Sequence, residues 1–136
     1  MRLSIITYFL IVSIFSSCYS NAIYFDVNAQ SICSCNAKEI RQVYIKNDSS
    51  SEVYLISWTD TILVAPKIIN LKNIETGYSL YKGWNKKQIS INEFKLAVLS
   101  TYTIERVQDD ATTYKVKVWT DKTGNINKTS RSTCND

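Results

Sequence analysis

Ser90-Ile91-Asn92-Glu93 opens the stretch, residues 90–125, that decides the predicted fold of this chain. A serine followed three residues later by a glutamate is the capping-box pattern that starts an α-helix. Apolar side chains then recur at intervals of three and four, which predicts one buried stripe of a helix, at Ile91, Phe94, Val98 and Tyr102. We therefore predict one helix that begins at residue 90.

The second half of this stretch has the period of a strand. After a predicted turn at residues 108–110, polar and apolar residues alternate from Tyr114 to Trp119, as a half-buried strand requires. A polar turn, residues 120–125, follows at once. The organising unit is thus a helix laid on a sheet, followed by a strand that carries Trp119 to a polar loop.

Other strand patterns extend this unit in both directions. Residues 42–46 and 52–58 flank a turn at 47–51, which predicts a hairpin. Further strands are predicted at residues 23–27, 67–72 and 78–82. Five to seven strands with one helix indicate a mainly β (α+β) fold. We expect either a small OB-fold-like barrel or a curved antiparallel sheet carrying one helix.

The N-terminus has the layout of a secretory signal peptide. Arg2 is followed by a mostly apolar run at residues 5–15 and by small or polar residues up to Ala22. We predict cleavage after Ala22, which leaves one secreted or periplasmic β-rich domain, residues 23–136. Lipid anchoring through Cys18 is the alternative. No other apolar segment is long enough to predict a membrane span.

Three cysteines remain in the predicted domain, namely Cys33, Cys35 and Cys134. An exported chain meets an oxidising compartment, which favours a disulfide. A bridge to Cys134 would join the two chain ends, and either Cys33 or Cys35 is close enough in sequence to be its partner. By the chain-entropy model such a bridge contributes about 4 to 5 kcal/mol.

The composition excludes several classes of function. The chain contains 0 His, which removes Ser-His-Asp and Cys-His catalysis and, with three cysteines only, predicts no metal site. Without Arg2 the domain carries 15 basic and 12 acidic side chains, a scattered net charge of +3 that does not indicate nucleic-acid binding. We predict a non-enzymatic protein without a cofactor.

Two tryptophans are the candidate ligand-binding residues. Trp84 precedes Asn85 and Lys86, and Trp119 precedes Asp121 and Lys122. An indole at a strand end can stack on the apolar face of a sugar, while neighbouring amides, carboxylates and ammonium groups bond the sugar hydroxyls. The predicted ligand-binding set is Trp84, Trp119, Asp121 and Lys122.

Three motifs resemble the B subunits of heat-labile-enterotoxin and cholera-type toxins: Cys33-Ser34-Cys35, the run at residues 42–48, and Val118-Trp119-Thr120-Asp121-Lys122-Thr123. The resemblance implies an OB-fold, a ring of five subunits and recognition of a cell-surface glycan. Trp119 would stack on the terminal sugar, and Asp121 and Lys122 would bond its hydroxyls. Lys117 stands where the family has its second cysteine.

A second class of function fits the same features. A small exported domain without a catalytic set also predicts an inhibitor or immunity-type protein that binds another protein. The expected partner is therefore a cell-surface glycan or a protein, with a homo-oligomer as a further prediction. Asn47 and Asn127 begin N-glycosylation acceptor patterns, which matter only in a eukaryotic source.

Overall fold

The computed structural model describes residues 21–108 and 112–136. Antiparallel strands are the dominant regular structure of this part of the chain. They are β1 (Ile23–Asp26), β2 (Ser31–Ser34), β3 (Gln42–Asn47), β4 (Val53–Trp58), β5 (Ile68–Asn70), β6 (Tyr78–Lys82), β7 (Lys87–Ile89), β8 (Thr101–Arg106), β9 (Tyr114–Thr120) and β10 (Ile126–Thr129). The mainly β prediction is confirmed, and so is the hairpin of β3 and β4.

The strands form two sheets. β1, β2 and β5 make a three-stranded sheet, in the order β1-β2-β5. The other strands make a seven-stranded sheet, in the order β10-β9-β8-β3-β4-β6-β7. Because β10 and β7 are its two edges, this sheet does not close on itself within the described ranges. The predicted OB-fold-like barrel is therefore wrong, and an antiparallel sheet remains.

One apolar core lies between the two sheets. The small sheet contributes fully buried side chains such as Phe25 and Ile32, and the large sheet contributes Val43, Ile104 and Val118. In β9 the alternation predicted from the sequence is confirmed, since Val116 and Val118 are buried while Lys115 and Lys117 are exposed. The opposite face of the large sheet consequently faces away from this core.

The predicted helix is wrong. A single 3₁₀ turn, Ile91–Glu93, follows Ser90, and the chain then runs irregularly into β8. The carboxylate of Glu93 does accept hydrogen bonds from the backbone and the hydroxyl of Ser90, at 2.8 and 3.1 Å. The predicted capping box is therefore present, but no α-helix follows it among residues 94–108.

Side chains of the sheet explain why the helix does not form. Tyr54 Oη donates to the carbonyl of Lys95 at 2.8 Å, and Thr120 Oγ1 donates to the carbonyl of Ala97 at 2.7 Å. The Ala97 N–H donates to Tyr102 Oη at 2.7 Å. These bonds satisfy backbone groups that a helix would have paired internally. Tyr102 itself belongs to β8 and is fully buried.

The disulfide joins Cys35 to Cys134, with the two Cα atoms 5.4 Å apart. The prediction that Cys134 is bridged to one of the early cysteines is confirmed, and the structure selects Cys35. Strand alternation does not make the choice, because Cys33 and Cys35 have the same parity. Cys33 pairs with Tyr24 on the face of β2 opposite to the core residue Ile32 and is buried there as a free thiol. Burial raises the pKa of Cys33, which favours the protonated thiol.

The predicted signal peptide, residues 1–22, lies outside the described residues except for Asn21 and Ala22. Asn21 is buried, and its Nδ2 donates to the carbonyl of Gln108 at 3.2 Å. Most of the predicted turn at residues 108–110 also lies outside the described part of the chain. Within that part no helix is long and apolar enough to cross a membrane.

Removal of the disulfide should destabilise the protein strongly. The bridge spans 99 residues, so a Cys35→Ala/Cys134→Ala double variant is expected to lose about 4 to 5 kcal/mol of unfolding free energy. Urea unfolding of the oxidised proteins measures this loss. Cys33→Ala, the matched control, should cost only about 1 kcal/mol. Peptide mapping that found a bridge between Cys33 and Cys134 would contradict the assignment.

Tyr102 should make stability depend on alkaline pH. Its burial and its 2.6 Å hydrogen bond to Glu52 raise the pKa of Tyr102 to about 12. The unfolded phenol titrates near pH 10, so the stabilising effect of the neutral form is complete below about pH 10 and is lost as the pH rises to about 12.

The comparison with Tyr102→Phe isolates this effect. At pH 8 the wild type should be more stable by about 1 to 3 kcal/mol, the value of a buried bond to a carboxylate. Urea unfolding at a series of pH values should show this advantage shrinking between about pH 10 and 12. Tyr78, whose pKa is also raised by burial, is present in both proteins and cancels. A pH-independent difference would refute the prediction.

Candidate functional site

The candidate site is the outer face of the seven-stranded sheet, the face turned away from the core. Every second residue of each strand contributes to it, and most of these side chains are polar or aromatic. Its members in the central strands are Gln42, Tyr44 and Lys46 of β3, Val53, Leu55 and Ser57 of β4, Ser79 and Tyr81 of β6, Thr101, Thr103 and Glu105 of β8, and Lys115, Lys117 and Trp119 of β9. We call this surface the outer face.

Trp84 lies in the turn between β6 and β7 and is 65% exposed. Gly83, with a φ of +80°, begins this turn, and its carbonyl accepts the N–H of Lys86 at 3.1 Å. The ammonium of Lys46 is 5.3 Å from the centre of the Trp84 ring and 2.7 Å from Glu105 Oε2. These contacts place the exposed indole on the outer face, beside an ion pair.

Two phenol rings extend this aromatic surface. Tyr44, Leu55 and Tyr81 are register partners across β3, β4 and β6, and Gln88 of β7 continues the row. Leu55 is only 5% exposed although it points away from the core. Its flanking tyrosines account for this burial, since neighbours in register are close enough to cover one another. The row therefore has an apolar floor with an amide at its edge.

Trp119 lies on the same face near the opposite edge. Its register partners are Thr101 and Lys128, and the ammonium of Lys128 is 4.8 Å from its ring centre. Three strands separate β9 from β6 in the sheet, so four spacings of about 4.8 Å lie between them. The two predicted tryptophans thus share one face but form two separate sites.

Asp121 and Lys122 follow β9 in the turn that leads to β10. Oδ1 of Asp121 accepts hydrogen bonds from the hydroxyl and the N–H of Thr123, both at 2.7 Å, and from the N–H of Asn125 at 3.1 Å. These bonds, first those of Thr123, lower the pKa of Asp121. This carboxylate oxygen is thus committed to its own turn, and Lys122 is exposed beside it.

Sequence reasoning missed most of the outer face. Lys46 and Glu105 were not selected, although their alternation with buried neighbours was the signal that could have found them. It also missed an exposed apolar loop, Ile62-Leu63-Val64, and a groove of about 850 Å³ beside residues 91–98. Both features depend on how distant segments pack.

The remaining predicted sites are placed as follows. Asn127 is exposed on β10, while Asn47 Oδ1 accepts the N–H of Ser49 at 2.9 Å in the β3–β4 turn. In residues 21–108 and 112–136, no group of three or more His, Cys, Asp or Glu side chains is arranged to hold a metal ion.

No protein-family model, curated protein or solved structure matches this chain. The resemblance to toxin B subunits is therefore still a prediction that rests on the motifs alone.

The role of Asp121 can be tested by two substitutions. Asp121→Asn keeps the acceptor at Oδ1 and should preserve the melting temperature, whereas Asp121→Ala removes it and should lower that temperature. Calorimetry measures both. Equal melting temperatures for the two variants would show that the turn does not depend on these hydrogen bonds.

Proposed function

We propose that this protein is an exported, non-enzymatic binding domain that attaches to carbohydrate through the outer face. The observation that carries the proposal is the exposed Trp84 indole, which lies beside the Lys46–Glu105 ion pair on a polar sheet surface. A ligand that covers a large exposed aromatic ring removes apolar surface from water, which favours binding.

The chemistry of the surface suits a sugar. The C–H groups on one face of a pyranose ring are apolar and pack against an indole, while its hydroxyls both donate and accept hydrogen bonds. Lys46 supplies a donor, Glu105 supplies acceptors, and Gln88 supplies both at the edge of the row. Such a mixture of flat rings and fixed polar groups is typical of specific ligand sites.

Trp119 offers a second contact of the same kind. It too is an indole with an ammonium group near its ring, and it faces the same side of the sheet. Asp121 shapes the turn through its Oδ1, and its second carboxylate oxygen, together with Lys122, would bond the sugar hydroxyls. The toxin B-subunit hypothesis adds that the carbohydrate is a cell-surface glycan.

Export supports this role. The N-terminal sequence predicts secretion or transfer to the periplasm, and the Cys35–Cys134 disulfide is stable in such an oxidising compartment. A glycan ligand would be met there.

Binding to a protein is the second candidate function. The aromatic rings of Tyr44, Tyr81 and Trp84 favour it, because tyrosine and tryptophan are enriched at the residues that contribute most to protein–protein binding. An inhibitor or immunity-type protein would use this surface to cover a partner.

A glycan array distinguishes these candidates. The wild type should bind a defined subset of glycans, and Trp84→Ala should weaken that binding at least about tenfold because the stacking surface is lost. Trp119→Ala should weaken it as well, and Ile68→Ala, an exposed apolar position on the small sheet, should not. Calorimetry with the best glycan gives the affinities.

Two outcomes would reject carbohydrate binding. One is a wild-type protein that binds no glycan on the array. The other is glycan binding that both tryptophan variants retain at full strength. Circular dichroism of each variant confirms that the fold is intact.

A further inference from the structure

The loop after β4 exposes three consecutive aliphatic side chains. Ile62, Leu63 and Val64 are 90%, 65% and 77% exposed. Isolated exposed apolar residues are ordinary, but a contiguous group of them marks an interaction site. We call Ile62-Leu63-Val64 the apolar loop.

The apolar loop is held in one conformation. Asp60 Oδ1 accepts the N–H groups of Ile62 and Leu63 at 2.7 and 2.8 Å, and Trp58 Nε1 donates to the carbonyl of Leu63 at 3.0 Å. Trp58 is itself fixed, because its ring packs edge-on against Tyr78 with centroids 4.9 Å apart. A loop that is already ordered loses little conformational entropy when it binds.

An apolar groove lies elsewhere on the molecule. Its volume is about 850 Å³, and its apolar wall is formed by Ile91, Phe94, Leu96 and Val98. Ile91 and Val98 are 44% and 52% exposed. We call this cavity the groove.

The groove is also preformed, because contacts within the chain fix its wall. Tyr54 Oη donates a hydrogen bond to the carbonyl of Lys95, and the Phe94 ring packs edge-on against the Tyr54 ring with centroids 4.9 Å apart. Across the groove, a Cβ added to Gly124 would lie 2.9 Å from the carbonyl oxygen of Leu96, so the β9–β10 turn approaches this wall closely.

The charges beside the two surfaces are complementary. A hollow beside the apolar loop is lined by the acidic residues Asp60 and Glu39. Among the described residues its one basic lining residue is Arg41, which lies 3.6 Å from Glu39. Lys72 and Lys95 line the groove, and no acidic side chain does so among residues 21–108 and 112–136. Opposite charges at the edge of an apolar contact fix its orientation and speed its formation.

We propose that the apolar loop of one copy of this chain inserts into the groove of a second copy. The loop and the groove share no lining residue, so one copy can use both surfaces at once. A contact between two different surfaces of the same chain gives a reciprocal two-fold dimer, a closed head-to-tail ring or an open head-to-tail filament. This inference does not rest on carbohydrate binding.

Complementary variants test the contact. Leu63→Asp disables the loop, and Val98→Asp disables the groove; both positions are exposed, so the fold should survive. Analytical ultracentrifugation should find the wild type associated, and each variant alone should be a monomer. The carboxylate buried in the contact should raise the dissociation constant at least about 100-fold.

A mixture of the two variants provides the decisive sample. The Leu63→Asp protein keeps its groove and the Val98→Asp protein keeps its loop, so one contact of the original kind forms between them. The equimolar mixture is therefore expected to contain a heterodimer that neither variant forms alone. Trp84→Ala, on the outer face, is the matched control and should associate as the wild type does.

Several results would overturn the proposal. One is a wild type that stays monomeric at about 100 µM, well above the dissociation constant of a specific contact of micromolar strength. Another is association that Leu63→Asp leaves unchanged, or a mixture in which no heterodimer forms. Binding of the monomer to vesicles of anionic phospholipid, lost in Leu63→Asp, would instead assign the apolar loop to a membrane surface.

Discussion

The guanidinium of Arg106 is the interaction that the two-sheet structure depends on. Arg106 is fully buried at the end of β8, near the middle of the large sheet. It donates to the carbonyl of Glu39 at 2.9 Å, to Ser34 Oγ at 3.2 Å and to Gln108 Oε1 at 3.5 Å. A buried charge is costly unless its donors are paired, so these bonds hold β2, the chain before β3 and the end of β8 in one arrangement.

This arrangement leaves the large sheet with two different faces. The inner face packs on the small sheet, so the outer face is free to carry lysines, glutamate and aromatic rings instead of core residues. Association of several copies through the apolar loop and the groove would present several outer faces together. Weak binding of each face to a carbohydrate would then add up to strong attachment, because later contacts form within the same assembly.

The sequence predicted the strands well where alternation was clear, as in β3, β4, β6 and β9. It missed β8, although Thr101 to Arg106 alternates as a strand does, because Tyr102 was assigned to the apolar stripe of the predicted helix. Tyr102 completed the predicted helical stripe, but in the structure it is a core residue of a strand whose hydroxyl binds Glu52. The local stripe favoured a helix, and pairing of β8 with β3 and β9 overrode that preference. The two tryptophans of the candidate site were found from their local sequence, whereas their ion-pair neighbours were not.

By itself the sequence determined the features that depend on neighbouring residues: the period-two strands, the hairpin of β3 and β4, the exposure of Trp84 at a turn and the absence of histidine chemistry. Only the tertiary structure decided that Cys35 rather than Cys33 bonds Cys134, because it brings Cys35, just after β2, next to Cys134 and leaves Cys33 as a buried free thiol. Tertiary packing also determined the irregular course of residues 94–100, since tyrosine and threonine side chains from distant strands satisfy its backbone. Local patterns record which face of a strand is apolar, but which segments meet depends on contacts between residues far apart in the chain.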